Sequence, residues 1–536
     1  MHPMRNLHLV GAALAALCAS EGTASPPAAA GIEAGETMRF VVDDMRLEAE
    51  ALVLEQGVRS WENRVYGDPL DIAQTYAGHE RLFSQGAIAA VERAIGEARD
   101  PRDKKALRYF KRHLLSECVD RAVAPLNDRI RNAESGGEAA LDGAKVPYPQ
   151  LALLLAVEPD RARRQRISDA ALAVLALIEP YQLEKERKAG GLARSLGFAS
   201  YNALSEELRS FSLDALARDC ERILDETEPA YTALLGEVTR EFMGVPPSEF
   251  RRCDIPRLFH LDRYAASFPA GGAMRAVSST LSGMGIDLHS QGNILIHDEP
   301  LPKKNPRAAC FALKVPGDVR LTIKPAGGVP DYEALLHEMG HAQHFAHTAA
   351  DRFEFAQLGD NTVTEAYAFL FEELMDDPAW IASHTPLPPA DLAAYMRFRR
   401  FSKLYFARRY AAKILYERQL HSGAPDPKGI YRKTLARAYG FPLDEKDAAR
   451  YLSDMDDYYY AADYLRAWFL KAQIEAALRR RAGARWFENP DSGAALISLW
   501  RHGQELNGEE LAARLGFDGL SPGPFIDALL ERRPAR

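Results

Sequence analysis

The chain has 536 residues, of which 47% are hydrophobic, and it carries a formal net charge of -8. A chain of this length and apolar content can bury a large core and form more than one lobe. The negative charge argues against nucleic acid as the main partner, because binding to phosphates relies on clustered Lys and Arg. The five cysteines are scattered without a C-x-x-C pair, so they predict neither a zinc ribbon nor a disulfide framework.

The first 30 residues differ in composition from the rest of the chain. Arg5 precedes a short apolar run at residues 7–20, and a tract rich in Ser, Pro and Ala follows. This order is typical of a secretory signal peptide, so we expect a periplasmic or secreted protein if the segment is cleaved. Met38 as the true start would instead imply a cytoplasmic protein. No later segment is long and apolar enough to predict a membrane span.

Most of the remaining sequence has the three- and four-residue spacing of apolar side chains that predicts amphipathic helices. Residues 45–58 and 104–131 show this spacing clearly, whereas residues 136–149, rich in Gly and Pro, predict a loop. We therefore expect a mainly α-helical protein. An N-terminal helical lobe is predicted at residues 31–250, and a second region at residues 251–536.

A different pattern interrupts the helices ahead of residue 330. Three short runs, at residues 293–297, 308–314 and 319–324, predict strands, and residues 316–318 predict a turn between the last two. An exposed edge of such a sheet could bind an extended peptide as an additional strand. An ordinary supporting hairpin is the alternative interpretation.

The motif H-E-x-x-H follows these strands and is formed by His337, Glu338 and His341. Residues four apart lie on one face of a helix, so the two imidazoles can bind one metal ion together. Zinc held in this way lowers the pKa of its bound water to about 7, and Glu338 can accept the proton. Glu365 is a suitable third ligand, because two histidines and one glutamate form a catalytic zinc set. Asp331 is placed to cap the N-terminus of this helix.

Several segments resemble the thimet oligopeptidase and oligoendopeptidase F family of zinc metallopeptidases. They are residues 304–311, 319–321, 327–345, 365–367 and 463–468. The resemblance implies a mainly α fold, a two-lobed helical ellipsoid with a deep channel and a small β-sheet beside the metal-binding helix. It also implies one Zn²⁺ per chain at the floor of the channel.

The resemblance further implies roles for the metal-site residues and a substrate class. His337, His341 and Glu365 would bind the zinc, and Glu338 would be the general base. The implied activity is hydrolysis of peptide bonds in short peptides. We expect short peptides as partners, no nucleic acid and no stable membrane insertion, while the oligomeric state is not predicted.

A tyrosine cluster follows towards the C-terminus. The resemblance implies that Tyr464 donates a hydrogen bond to the oxyanion, assisted by Tyr460 or Tyr458, an effect that supplies about 3 kcal/mol in comparable sites. Packing in the core is the alternative for these side chains. The family's usual His-x-x-Gly-Gly-Tyr lead is absent, because residues 452–457 read Leu-Ser-Asp-Met-Asp-Asp, so we expect a divergent branch.

Two alternatives stay open at this point. Angiotensin-converting enzyme shares the metal helix but has an aspartate four residues after its third ligand, where Phe369 stands here. A peptidyl-dipeptidase or carboxypeptidase of that type is one alternative, and a non-catalytic helical scaffold that binds peptides is the other. Glu372, Glu373 and Asp331 are candidate acids for orienting a zinc histidine, and the spacing selects none of them. His344 is expected to pack or to line the substrate rim, because a fourth protein ligand would leave no place for water.

Overall fold

The computed structural model describes residues 34–532, with side chains described from residue 41 onward. The signal-peptide prediction for residues 1–30 lies outside this range. Nineteen α-helices and five strands make up the described chain. The helices are α1 (Ala34–Tyr66), α2 (Gln85–Glu97), α3 (Pro101–Ser135), α4 (Tyr148–Val157), α5 (Arg161–Ser195), α6 (Tyr201–Arg209), α7 (Leu213–Met243), α8 (Ile255–Leu258), α9 (Gly272–Gly283), α10 (Val329–His347), α11 (Phe353–Gln357), α12 (Asn361–Glu372), α13 (Pro378–His384), α14 (Pro389–Leu420), α15 (Pro427–Tyr439), α16 (Tyr460–Ala482), α17 (Pro490–Trp500), α18 (Gly508–Arg514) and α19 (Gly523–Leu529).

The helices predicted at residues 45–58 and 104–131 are confirmed, and they lie within α1 and α3. The N-terminus of α3 is capped by Asp100, whose carboxylate accepts a hydrogen bond from the Arg102 backbone N–H. The apolar positions of α3 are buried against α2, with Leu107 and Phe110 in a hydrophobic cluster that also contains residues of α1. This cluster forms the core of the N-terminal helices.

A larger hydrophobic cluster extends from Leu213 to Leu529 and surrounds the H-E-x-x-H helix. It includes α7, which packs along α14 although it precedes the domain boundary predicted at residue 250. Ser212 caps the start of α7, and Gly244 ends it in the left-handed conformation at φ 71°. The division at residue 250 stays a prediction.

The predicted strands form a small sheet beside α10. Its strands are β3 (Ile294–His297), β4 (Ala309–Lys314) and β5 (Asp318–Thr322), in the order β3-β5-β4. The hairpin of β4 and β5 is antiparallel as predicted, and β3 adds parallel to β5. The strand β4 packs against α10, so the mainly α architecture and the small sheet beside the predicted metal helix are both confirmed.

A second hairpin was not predicted, because residues 136–149 were assigned to a loop. There β1 (Glu138–Leu141) pairs with β2 (Ala144–Pro147). The turn uses Asp142 and Gly143, both with positive φ. An Asp-Gly pair of this kind fits the two-residue turns that match the twist of a hairpin. The flanking segments are too short to show a strand pattern of their own.

The four cysteines of the described chain, Cys118, Cys220, Cys253 and Cys310, are free thiols, consistent with their scattered positions. No helix among residues 34–532 combines the length and the apolar composition that crossing a bilayer requires.

Candidate metal centre

The helix α10 begins three residues earlier than its sequence suggests. Its N-cap is Gly328, and Pro330 occupies the first turn, where a missing N–H has no consequence. The prediction that Asp331 caps the N-terminus of this helix is wrong. The Asp331 carboxylate instead accepts hydrogen bonds from the backbone N–H groups of Ala326 and Gly327, both at 2.6 Å, and so fixes the loop that leads into the helix.

Gly340, between the two histidines of the motif, allows α10 to lie against α12. A Cβ atom at residue 340 would be 2.6 Å from both Ala368 Cα and the Tyr367 carbonyl oxygen. Contacts this short are not tolerated, so the backbones can approach closely only with glycine at this position. This approach brings Glu365 of α12 opposite the H-E-x-x-H motif.

The three predicted ligands converge at one point. Ligand atoms of His337, His341 and Glu365 all lie within 4.8 Å of one another. Glu365 Oε2 is 3.4 Å from His337 Nε2 and 3.6 Å from His341 Nε2. Separations of this size are what three ligands around a single ion require, since zinc lies roughly 2.0–2.2 Å from each N or O atom.

The polar environment of these atoms fits a cation. Glu365 Oε2 is buried and has no hydrogen-bond partner among the described residues, an arrangement that is costly for a carboxylate unless a ligand completes it. Burial disfavours the charged form of His337, but the carboxylates of Glu365 and Glu372 outweigh it and raise the pKa of His337 well above its usual range. The site therefore favours positive charge. Burial lowers the pKa of His341 to about 3, which keeps that ring in the neutral form that binds metals.

Both histidines are oriented by hydrogen bonds to their second ring nitrogen. His337 Nδ1 is 2.8 Å from Glu372 Oε2, and His341 Nδ1 is 2.8 Å from Thr364 Oγ1. The Glu372 carboxylate can only accept, so His337 carries its proton on Nδ1 and its Nε2 faces Glu365, whereas the Thr364 hydroxyl fixes the orientation of the His341 ring. The structure thus selects Glu372 among the candidate acids. Sequence reasoning missed Thr364, since the hydroxyl next to Glu365 gives no pattern of its own.

Glu373 and Asp331, the two remaining candidate acids, are engaged elsewhere: Glu373 pairs with Lys471 and Lys403, and Asp331 accepts the backbone N–H groups of the loop before α10. Phe369, which stands where the converting enzyme has its aspartate, packs edge-on against the His337 ring with the centroids 5.2 Å apart. Phe369 therefore restricts the His337 ring by contact, while the Glu372 carboxylate accepts the hydrogen bond from His337 Nδ1. His344 is fully buried with Nε2 3.1 Å from the Gly503 carbonyl oxygen, so it packs in the core and does not join the ligands.

Glu338 lies beside the ligands and is fixed by the sheet. The backbone N–H of Cys310 in β4 donates a hydrogen bond to Glu338 Oε2 at 2.8 Å. Burial raises the pKa of the Glu338 carboxyl, partly offset by His337 and by the Cys310 N–H. A carboxylate with a raised pKa is a better proton acceptor near neutral pH than an exposed glutamate.

The predicted tyrosines take different positions around this centre. Tyr460 donates a hydrogen bond from its hydroxyl to Glu365 Oε1 at 2.7 Å. Tyr464 packs edge-on against the Tyr460 ring, with the centroids 4.8 Å apart. Tyr458 points away, into the core of the N-terminal helices, where its hydroxyl donates to Asp120 at 2.9 Å. Tyr460 and Tyr464 are therefore next to the predicted ligands, and Tyr458 is not.

This fold and site define a class of protein that is mainly helical and has a cluster of two histidines and one glutamate beside a small sheet. No protein-family model matches the sequence, and no curated protein is similar to it in sequence. The fold is similar to the crystal structure of a candidate oligoendopeptidase F from Bacillus anthracis str. Ames, with a TM-score of 0.66 and 14% sequence identity. The match covers 93% of this chain and 92% of that chain. The similarity shows a common fold over nearly the whole of both proteins.

Proposed function

We propose that this protein is a zinc-dependent metallopeptidase that hydrolyses peptide bonds in short peptides. The observation that carries the proposal is the convergence of His337 Nε2, His341 Nε2 and the unpartnered Glu365 Oε2 beside Glu338. The shared fold with a candidate oligoendopeptidase F supports the same activity. Zn²⁺ bound by the three ligands would polarise the substrate carbonyl and make a bound water acidic at neutral pH.

Glu338 is the proposed general base and then general acid. Its Oε2 is held by Cys310, which leaves Oε1 to accept a proton from water and pass it to the leaving amine. The buried position strengthens this role, because a desolvated carboxylate binds a proton more readily than an exposed one.

Tyr464 is the proposed donor to the negative charge that develops on the peptide carbonyl. The hydroxyl of its neighbour Tyr460 is already directed to Glu365 Oε1, so Tyr460 is better placed to orient the ligand than to contact substrate. Tyr464 is held between Tyr460 and Phe369 by edge-on ring contacts, which fix the direction of its side chain. A pre-oriented hydroxyl needs no reorganisation when charge develops.

The proposed substrate is an extended peptide. The strand β4 is an outer strand of its three-stranded sheet and runs beside Glu338. A peptide lying along this part of the sheet would be aligned with its carbonyls near the candidate centre, as in other cases of strand addition.

The test is zinc content together with cleavage of a mixed peptide library, with the products read by mass. We expect about one zinc per chain and internal cuts in short peptides. Stepwise loss of C-terminal dipeptides or residues would indicate the converting-enzyme or carboxypeptidase type, and a metal-free protein that binds peptides would indicate a scaffold. Glu338→Gln should keep the zinc and lose nearly all turnover. Glu445→Gln, at an exposed position, is the control and should keep both. Full activity of Glu338→Gln would refute the mechanism.

A further inference from the structure

A cavity of about 160 Å³ lies apart from the candidate metal centre, and none of the predicted metal-site residues lines it. Its walls come from α4, α5, α14 and the 450–454 segment. This segment directly precedes the tyrosines of the candidate centre. The cavity therefore borders the N-terminal helices on one side and the lead into α16 on the other.

Part of the cavity lining is apolar. Leu151 and Leu155 of α4 and Leu175 of α5 line it, together with the rings of Tyr405 and Tyr439. All five side chains are buried. The volume is comparable to the cavity of about 150 Å³ that holds a benzene molecule in another protein. An apolar body of about the size of one aromatic ring would fit against this wall.

The lining also contains three arginines, Arg252, Arg409 and Arg450, but only one carboxylate, Asp454. Burial opposes ionisation of Asp454, but Arg409 and Arg252 outweigh it and hold its pKa well below its usual range. Asp454 is thus shared by two guanidinium groups, with Arg252 Nη2 at 3.2 Å from its Oδ2. The lining retains an excess of positive charge.

One further acid lies close to these arginines but does not line the cavity. Asp447 is close to Arg252 and Arg450, but its carboxylate accepts the Asp444 backbone N–H at 3.0 Å, and burial raises its pKa. Burial, together with the positive charge of Arg252, lowers the pKa of Arg450. Arg252 and Arg409 are already compensated, since burial opposes their charge but neighbouring tyrosine hydroxyls and the Asp454 carboxylate outweigh it and raise the pKa of both guanidinium groups well above their usual range. Arg450 is the arginine whose positive charge an additional anion would stabilise.

Two of these arginines also have nitrogen atoms without partners. Arg409 is 3% exposed, yet its Nη1 has no hydrogen-bond partner among the described residues. Arg450 Nε is likewise buried without a partner, although Arg450 Nη2 donates to Ser168 at 3.2 Å. An unsatisfied N–H on a buried cation is costly, and a carboxylate is the acceptor whose geometry a guanidinium group matches best.

We propose that this cavity is a binding site for a small carboxylate with an apolar body. The carboxylate would lie among Arg252, Arg409 and Arg450, and the apolar body would pack against the leucines of α4 and α5. The inference concerns a site away from the candidate metal centre. Binding of the carboxylate does not depend on the proposed peptidase activity, and only the assignment of its source to a peptide rests on that activity.

Calorimetric titration of the full zinc-loaded protein with benzoate tests the proposal, with benzamide as the neutral molecule of the same shape. We expect one benzoate per chain, and binding of benzamide at least tenfold weaker. Arg450→Gln should weaken benzoate binding at least tenfold, because this variant removes one guanidinium group and leaves both partners of Asp454 in place. Arg432→Gln, at an exposed position of α15, is the matched control and should bind benzoate as the unmodified protein does.

Ala171→Leu provides a second variant that keeps all three arginines. Ala171 lines the cavity from α5, so a larger side chain there fills the space for the apolar body. We expect it also to weaken benzoate binding at least tenfold. Equal binding of benzoate and benzamide would overturn the proposal. So would benzoate binding that survives both Arg450→Gln and Ala171→Leu, since the carboxylate would then bind elsewhere, including at the metal.

The carboxylate could belong to a free small acid or to the C-terminus of a peptide. Cleavage of matched peptides with free and amidated C-termini separates these sources. If the peptide supplies the carboxylate, Arg450→Gln raises KM for the free-acid peptide and not for the amide. If a free acid is the ligand, the two KM values change alike and benzoate binds without competing with the peptide.

Discussion

Glu372→Gln tests how the candidate metal centre is supported from outside its three ligands. Glu372 Oε2 is 2.8 Å from His337 Nδ1, and its side chain is 20% exposed, so the bond is made in a largely desolvated position. Glutamine keeps an acceptor oxygen but removes the negative charge that favours the His337 proton on Nδ1. Loss of such an outer partner typically weakens metal affinity 10- to 100-fold, or about 1.4 to 2.7 kcal/mol. We expect a loss in this range.

The assay is zinc affinity by competition with a chromophoric chelator, measured beside thermal unfolding of the metal-free protein. Glu373→Gln is the matched comparison, because Glu373 is the adjacent acid but pairs with Lys471 and Lys403. It should lower the unfolding temperature, since it removes one of the two carboxylate partners of Lys471 and of Lys403, and leave zinc affinity nearly unchanged. If Glu373→Gln weakened zinc binding and Glu372→Gln did not, the assignment of the orienting acid would be wrong.

Three further predictions concern the packing, the tyrosines and the charges around the site. Gly340→Ala should destabilise the protein by about 1 to 3 kcal/mol in chemical unfolding and weaken zinc binding, because its Cβ would force α10 away from α12. Unchanged stability would contradict that close approach. Tyr464→Phe should lower kcat without loss of zinc, whereas Tyr460→Phe should weaken zinc binding because it removes the bond to Glu365. The opposite pattern would reverse the two roles. Burial raises the pKa of Asp463 to about 7 despite the nearby Arg209, so the folded protein binds a proton at this carboxyl more tightly than the unfolded chain does. This proton binding stabilises the fold fully below about pH 4, and the stabilisation is lost as the pH rises through about 7. Unfolding at several pH values should show this decline, and Asp463→Asn should reduce it; an equal decline in the variant would assign it to another group.

The parts of the site that sequence could predict are those set by local spacing. The two histidines of α10 share a face because they are four residues apart, and the hairpin of β4 and β5 follows from two apolar runs around a turn. Glu372 could not be selected in the same way. It and Glu373 are neighbours in sequence, and only the packing of α12 against α10 decides which one faces His337. The proximity of the three cavity arginines could not be predicted for the same reason, since they come from three distant segments of the chain.

The tyrosine segment shows why the N-terminal helices matter to a site whose ligands all lie in the second half of the chain. Tyr458 and Tyr459 both have left-handed backbones, with φ of 50° and 57°, a conformation that costs energy for residues other than glycine. Residues of the N-terminal half hold this turn. The Tyr458 backbone N–H donates to the Tyr201 hydroxyl at 2.9 Å, and the Tyr459 hydroxyl donates to Asn202 Oδ1 at 2.7 Å.

This turn sets the start of α16, and α16 carries the two tyrosines next to the candidate ligands. The chain makes this turn with two bulky residues, whose left-handed conformation is held by hydrogen bonds to α6. The hydrogen bonds to α6 therefore help to place Tyr460, the first residue of α16, against Glu365.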